Sequence, residues 1–159
     1  MNIFVLDKDP VLAAQLQCDK HVVKMVLETA QMLCTVLSNL GETTPYKATH
    51  PNHPCTKWAA ESRQNFEWLA LHGIALAEDY SLRYGRTHKS ESAIRCAAPL
   101  AHLLPNTGLT PWAQAMPEQY KGPCAVQAYR KYYLGEKKHF AVWGICTPYW
   151  AEEEAWDTT

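Results

Sequence analysis

A single, mostly helical domain with a short extended segment at its start is the fold this sequence predicts, on three observations. Apolar residues recur at helical spacing through several long stretches. Asp-Pro, Gly and Pro fall where those stretches should begin and end. The length of 159 residues contains no internal repeat, low-complexity tract or interdomain linker. The fold class is therefore all-α or nearly all-α, with 1–150 as the helical domain and 151–159 as an acidic C-terminal tail. A chain of this size buries about two-thirds of its unfolded surface and needs no metal or disulfide staple. With 47% hydrophobic and 19% charged residues the composition is globular. No apolar run reaches the roughly 18 residues of a membrane span.

The elements follow in order. Met1 to Leu6 is a short apolar run, read as a strand or extended arm, and it ends at Asp7-Lys8-Asp9-Pro10. Asp9 suits an N-cap and Pro10 the first turn of a two-turn helix. Asp19 suits the cap of a longer helix to residue 40, stopped by Gly41. Its buried face is Val22, Val23, Val26, Ala30, Leu33, Leu37 and Leu40. Residues 42–56 hold three prolines and no helical period, hence a loop. A third helix is expected over 57–84, ended by Gly85. A basic connector, 86–90, leads to a shorter helix over 91–104, weakened by Pro99 and closed by Pro105. Residues 105–123 read as loop, and Pro123 opens a last helix expected to continue past Gly135 to Trp143.

Formal charge is −1, but the last nine residues carry four acids and no base, leaving fifteen bases against twelve acids in residues 1–150. That excess permits an anionic ligand without demanding one. It is small for a protein held on duplex DNA by charge alone. Six cysteines lie evenly spread with no C-x-x-C pair and no secretory signal ahead of them, the pattern of a reduced, cytoplasmic chain whose cysteines serve as small core residues.

Candidate chemistry starts on the second helix. At 100° per residue, His21, Lys24, Glu28, Gln31 and Thr35 fall within about an 80° stripe opposite the apolar face. This mixed set reads either as a face for a polar ligand or as a solvated face. On the third helix Trp58, Ser62, Asn65, Leu69, His72 and Leu76 form a second stripe of about 80°. It fits a cleft wall, with Trp58 as a stacking surface for a base, or a core stripe with satisfied polar groups. In the loop, His50-Pro51-Asn52-His53 suits a turn that presents His53 to a ligand. Its spacing with Cys55 matches no common zinc pattern, so no metal and no cofactor is expected. The last helix interleaves Tyr129, Arg130, Lys131, Tyr132, Tyr133, Lys137 and Lys138, which suits phosphate contact with base stacking, or simple packing under snorkelling lysines. The sequence lacks G-x-x-x-x-G-K-[ST], G-x-G-x-x-G and G-x-S-x-G, which removes P-loop, Rossmann and α/β-hydrolase readings.

Asp19-Lys20-His21-Val22, with Glu28 nine residues after the Asp, resembles the D-[KQ]-H-L helix and downstream Glu of the pyrimidine-dimer DNA glycosylase/AP lyase family. The stretch 58–85 looks like that family's middle helix, and Ala128 to Tyr133 looks like its aromatic, basic W-Y-K-Y-Y segment. The opening Met-Asn-Ile-Phe-Val-Leu-Asp is similar to that of small phage proteins, which would place the chain in the host cytoplasm. The family resemblance implies a small helical enzyme whose N-terminal α-amine attacks the sugar C1′ and forms a Schiff base, with a carboxylate assisting ring opening and strand cleavage. Carried over, Glu28 is that carboxylate, His21 a substrate or phosphate contact and Asp19 the cap that orients them. Asn2 is too large for efficient removal of Met1, so the implied nucleophile is the Met1 amine, where the best-known members expose a Thr amine. Together with the residues read from the stripes, the loop and the last helix, the candidate substrate contacts are Asp19, Lys20, Lys24, Gln31, Asn52, His53, Trp58, Ser62, Asn65, Tyr129, Arg130, Tyr133 and Lys137.

Two other classes stay open. Low net charge suits a phage protein that binds or cleaves a free nucleotide, such as an immune signalling molecule, as counter-defence. A structural, partner-binding protein would use the Trp and Tyr surface without chemistry. The expected partner is thus a nucleic acid or a free nucleotide, with no membrane, and a homo-oligomer could complete the site.

Overall fold

A computed structural model describes residues 1–152, and among them the secondary structure is helical throughout, with no strand. The chain opens as an extended arm, residues 1–6, in which Ile3, Phe4, Val5 and Leu6 are all buried. This continuous burial explains an apolar run without alternation: the arm is inserted into the core with no face on solvent. Phe4 has φ +59°, a left-handed conformation that costs a bulky residue on the order of 1–3 kcal/mol. It is held there by stacking of its ring on His21 at 4.3 Å and edge contacts with Tyr129 and Tyr133.

Asp9 caps α1 (Pro10–Gln15), its Oδ1 accepting from the Val11 and Leu12 amides at 2.8 and 3.1 Å, as the Asp-Pro signal predicts. Helix α2 (Asp19–Asn39) stops before Gly41 at φ +91°. Its cap differs from expectation: Cys18 occupies the N-cap with no side-chain bond, and Asp19 is the first helical residue. The Asp19 carboxylate instead pairs with Arg83 at 2.9 Å and accepts from the Gly144 amide at 3.0 Å, pinning α2 to the C-terminal segment. The expected apolar face is buried at Val22, Val26, Ala30, Leu33 and Leu37, while Val23 and Leu40 are exposed.

The expected single helix over 57–84 is two helices, α3 (Pro54–Glu61) and α4 (Arg63–Tyr84). Ser62 breaks the register with an extended backbone, and its hydroxyl caps α4 by accepting from the Asn65 amide at 3.0 Å. A Ser three residues before a polar residue is a cap signal that the uninterrupted apolar period concealed. Gly85 at φ +69° ends α4. Helix α5 (Glu91–Ala97) passes into a 3₁₀ segment (Ala98–Leu103) at Pro99, so the expected 91–104 element tightens rather than stopping. The last main helix, α6 (Ala125–Tyr132), ends in a π-turn (Tyr133–Lys137), short of the expected Trp143. A four-residue α7 (Tyr149–Glu152) takes the first two residues of the expected acidic tail; the remainder of that tail lies outside the described residues.

Helices α2 and α4 form the centre of the molecule, with α1, α3 and α5 packed around them. Packing is tight at Gly73, where a Cβ would sit 2.6 Å from Thr29 Cγ2 and 3.1 Å from Ile94 Cδ1. A polar relay ties the arm to this centre. Gln17 Nε2 bonds with the Ile3 carbonyl and His72 Nε2, at 3.0 and 3.1 Å, and His72 Nδ1 lies 2.9 Å from the Pro10 carbonyl. Because Nδ1 must donate to a carbonyl, Nε2 accepts and the ring is neutral; burial pushes its pKa down to about 4. Cys18, Cys34 and Cys55 are core residues as read from sequence, whereas Cys96 and Cys146 are exposed and Cys124 is half-buried; all six are free. Among the described residues no helix is long and apolar enough to cross a membrane.

Candidate functional site at the buried N-terminus

The extended arm lies along the polar stripe of α2, and its first two residues meet the one carboxylate on that stripe. The Met1 α-amine is 3.3 Å from Glu28 Oε1, and the same oxygen accepts from the Asn2 amide at 3.0 Å. Exposure is low on both sides, 4% for the Met1 side chain and 13% for that of Glu28. Asn2 fixes the geometry from the other direction: its Nδ2 donates to the Ala115 carbonyl at 2.8 Å, and its Oδ1 accepts from the Ile3 amide at 2.8 Å. The 111–116 loop is held in turn by Tyr129, whose hydroxyl donates to the Ala113 carbonyl at 2.8 Å and accepts from the Ala115 amide at 3.2 Å.

Helix α3 closes the site from the loop side. Thr56 Oγ1 lies 4.0 Å from the Met1 sulfur, and the buried Cys55 thiol, pushed up to about 12 by desolvation, sits within the field of the Met1 amine and Glu28. His53 occupies the N-cap of α3, its Nδ1 accepting from the Cys55 amide at 3.1 Å. Its pKa is lowered, first by burial and then by the Met1 ammonium and His50.

His21 lies on the inner side of the same arm, 5% exposed, between Phe4 and Phe140, with Nδ1 hydrogen-bonded to the Tyr133 hydroxyl. Burial first, and then Lys137, Lys24 and Lys20, push its pKa down to about 4, so it is a neutral group at neutral pH and supports the arm from beneath. Lys20 lies over the Phe140 ring at 5.1 Å and Lys137 over Tyr132 at 5.2 Å. Lys24, one turn before Glu28, stands between two surface hollows of about 630 and 500 Å³. The larger carries Arg86 and Lys89 on its rim and Tyr46 in its wall, with no carboxylate. Gln31 is half-buried and Asn52 exposed.

The structure therefore joins Met1, Glu28 and His53 in one cluster and puts His21, Lys20, Lys24 and Lys137 along the adjoining face. Other expected contacts are turned inward. Trp58 is 2% exposed, packed on Trp68 with its Nε1 donating to the Thr110 carbonyl, and is not a surface on which a base stacks. Ser62 is a helix cap, and Asn65 Nδ2 donates to the Trp58 carbonyl and Thr110 Oγ1 at 2.8 and 2.7 Å. Tyr129 and Tyr133 are buried props, and Arg130 donates to the Leu6 carbonyl at 3.0 Å, locking the end of the arm. Asp19 is occupied by Arg83 and Gly144. Sequence reasoning did not single out Asn2, Phe4 or Thr56. For Asn2 a signal existed, since an Asn directly after the terminus can staple its own following amides.

The Met1 α-amine is thus held, largely buried, against the carboxylate of Glu28. Residues 1–92 match the model of a family described as pyrimidine dimer DNA glycosylase, and the chain belongs to that family. No curated protein and no solved structure matches it.

Proposed function

We propose that this protein is a DNA glycosylase and abasic-site lyase whose nucleophile is the Met1 α-amine and whose acid–base residue is Glu28. The observation that carries the reading is the 3.3 Å contact between that amine and a shielded carboxylate. The ammonium must shed a proton before it attacks, and Glu28 is the acceptor in reach. Attack of nitrogen on C1′ forms the C–N bond and breaks the glycosidic bond, the departing base taking up a proton. Opening of the sugar ring leaves a Schiff base between C1′ and the amine, with a proton delivered to the ring oxygen. Removal of a C2′ proton then expels the 3′ phosphate, and water hydrolyses the imine to return the free amine.

Phosphate recognition in this reading falls to Lys20, Lys24 and Lys137, whose charges act on His21, with Arg86 and Lys89 lining the larger hollow that Lys24 also borders. Bases on one face make up for a net charge of only −1 over the whole chain. The test is borohydride trapping on a labelled oligonucleotide carrying an abasic site or a pyrimidine dimer, with native protein and protein acetylated at Met1 in parallel. The reading requires a covalent adduct on the native protein, mapped to Met1 by mass spectrometry and lost on acetylation. A folded protein that gives no adduct on either substrate overturns it and turns attention to free nucleotides.

A further inference from the structure

The larger hollow beside α2 combines features that the amine chemistry leaves unused. Its volume of about 630 Å³ lies in the range that encloses a small ligand. Lys24, Arg86 and Lys89 line it, all three exposed, and none is joined to a carboxylate by an ion pair among the described residues. Three cations gathered without a counter-charge repel one another, and a bound anion relieves that repulsion. Val23 and Leu27 line the same hollow at 39% and 40% exposure, which leaves apolar surface in water beside the cations. Tyr46 adds a half-buried aromatic ring.

The wall that carries two of the cations is pinned in place. His88 Nδ1 accepts from the Ser90 amide at 3.0 Å, so its Nε2–H donates to the Val23 carbonyl of α2, at 2.8 Å. The Tyr46 and Ser90 hydroxyls bond at 3.0 Å and join the 86–90 connector to the loop before α3. Arg86 is held through its Nε, which donates to the Tyr80 hydroxyl at 2.9 Å. That bond leaves the two terminal nitrogens of the guanidinium for a ligand.

A ligand that satisfies both halves of the hollow is flat and apolar at one end and strongly anionic at the other. A phosphate monoester carries about −1.5 to −2 charges at pH 7, more than the single charge of a diester within a strand, and suits three cations better. We propose that this hollow binds a nucleotide bearing a terminal phosphate, with the monoester on Arg86, Lys89 and Lys24 and the base against Val23, Leu27 and Tyr46. Such a group is supplied by a free nucleoside 5′-phosphate or by the 5′ end of a cut strand, and the two share this chemistry. The proposal takes from the lyase reading only the use of these cations on phosphate, and its test involves no strand cleavage.

The test is calorimetric titration with thymidine 5′-phosphate and deoxyadenosine 5′-phosphate, alongside the two nucleosides and inorganic phosphate as the separated halves. At least one nucleotide should bind roughly tenfold or more tighter than its nucleoside and than phosphate. Lys89→Gln should weaken that nucleotide about fivefold, the worth of one close charge pair in water. Leu27→Glu puts a like charge where apolar surface was and should weaken it roughly tenfold or more. Both side chains are exposed, so the helical spectrum and melting temperature of the variants should match wild type. No binding of either nucleotide at millimolar concentration, binding no tighter than that of phosphate, or full affinity in either variant overturns the proposal.

Oligothymidylates distinguish the two sources. Displacement of the nucleotide by a 5′-phosphorylated oligomer and not by its 5′-hydroxyl form assigns the hollow to a strand end. Displacement by neither assigns it to the free nucleotide, and each result supports recognition of a terminal phosphate. Equal displacement by both forms puts diester backbone in the hollow and overturns it. Trapping at Met1 is scored separately: a protein that traps no DNA yet passes the titrations loses the lyase reading and keeps the nucleotide site.

Discussion

Replacing Glu28 with Gln changes one oxygen and one charge, which makes it the sharpest probe of the proposed chemistry. Gln can still accept the Asn2 amide, so the bond of 3.0 Å that docks the arm survives. What is lost is the attraction to the Met1 ammonium at 3.3 Å. At that separation the Coulomb energy is about 5 kcal/mol for an effective dielectric near 20, before desolvation is subtracted. A charge-assisted bond in a site of this burial retains a net value of about 1–3 kcal/mol. Glu28→Gln should therefore lower the melting temperature by roughly 2–12 °C and leave the helical spectrum intact. Single-turnover strand cleavage should fall by about 100- to 10,000-fold, the range general acid–base groups contribute. Binding of uncleaved abasic DNA, read by anisotropy, should persist or tighten, since a negative charge has been removed beside a polyanion. Cleavage within threefold of wild type at unchanged binding would refute Glu28 as the acid–base group. Loss of binding together with cleavage would show that its role is in docking.

Stability should fall in acid well above the carboxylate range. His21 and His72 both have folded pKa values of about 4 against an ordinary 6.5, so the unfolded chain binds more protons between those values and stability rises with pH there. Their contribution is complete above about pH 6.5 and is lost as pH falls toward 4, on the order of 3 kcal/mol for each histidine, seen as a falling urea midpoint; a flat midpoint over that window contradicts the neutral, buried assignment. Gly73→Ala should destabilise by about 1–3 kcal/mol in urea unfolding, because the new methyl meets Thr29 and Ile94 where three helices converge. Lys20→Ala and Lys24→Ala should each reduce the slope of log affinity for abasic DNA against log salt by about 1. Unchanged slopes would move the phosphate path off this face of α2.

The legible part of the fold is the part set by local chemistry. Asp9-Pro10 started a helix, Gly41 and Gly85 ended helices in left-handed conformations, and the apolar period of α2 marked a core face. Local pattern failed where a distant group decided the outcome. Asp19 has the residue type of a cap, but Arg83, 64 positions away, takes its carboxylate. The 58–76 stripe kept a helical period through Ser62, so period alone joined two helices that the Ser hydroxyl separates. Aromatic and basic residues on the last helix matched a nucleic-acid surface in composition. Tyr129, Arg130 and Tyr133 instead hold the arm and its flanking loop, a use that depends on segments more than 100 residues away for Arg130 and Tyr133.

The polar stripe of α2 shows most clearly why the site was only half visible. Neither weighed reading foresaw that the chain's own first residues cover the stripe at His21 and Glu28, while Lys24 stays exposed. A helix face holding His21, Glu28 and Thr35 gives no local sign that a covering arm exists, because the information lies in the apolar character of residues 3–6. Those four side chains supply the hydrophobic anchorage that drags a charged terminus inward, and Glu28 compensates part of the cost of burying it. In the proposed chemistry the same anchorage solves a problem peculiar to a terminal nucleophile. A free chain end samples many orientations, whereas an end tethered by a buried four-residue arm, the Asn2 staple and the Glu28 contact has few left. On this argument the core and the site are not separable: weakening Phe4 or Ile3 should blur the amine's position before it unfolds the domain, and trapping rate should decline ahead of helicity.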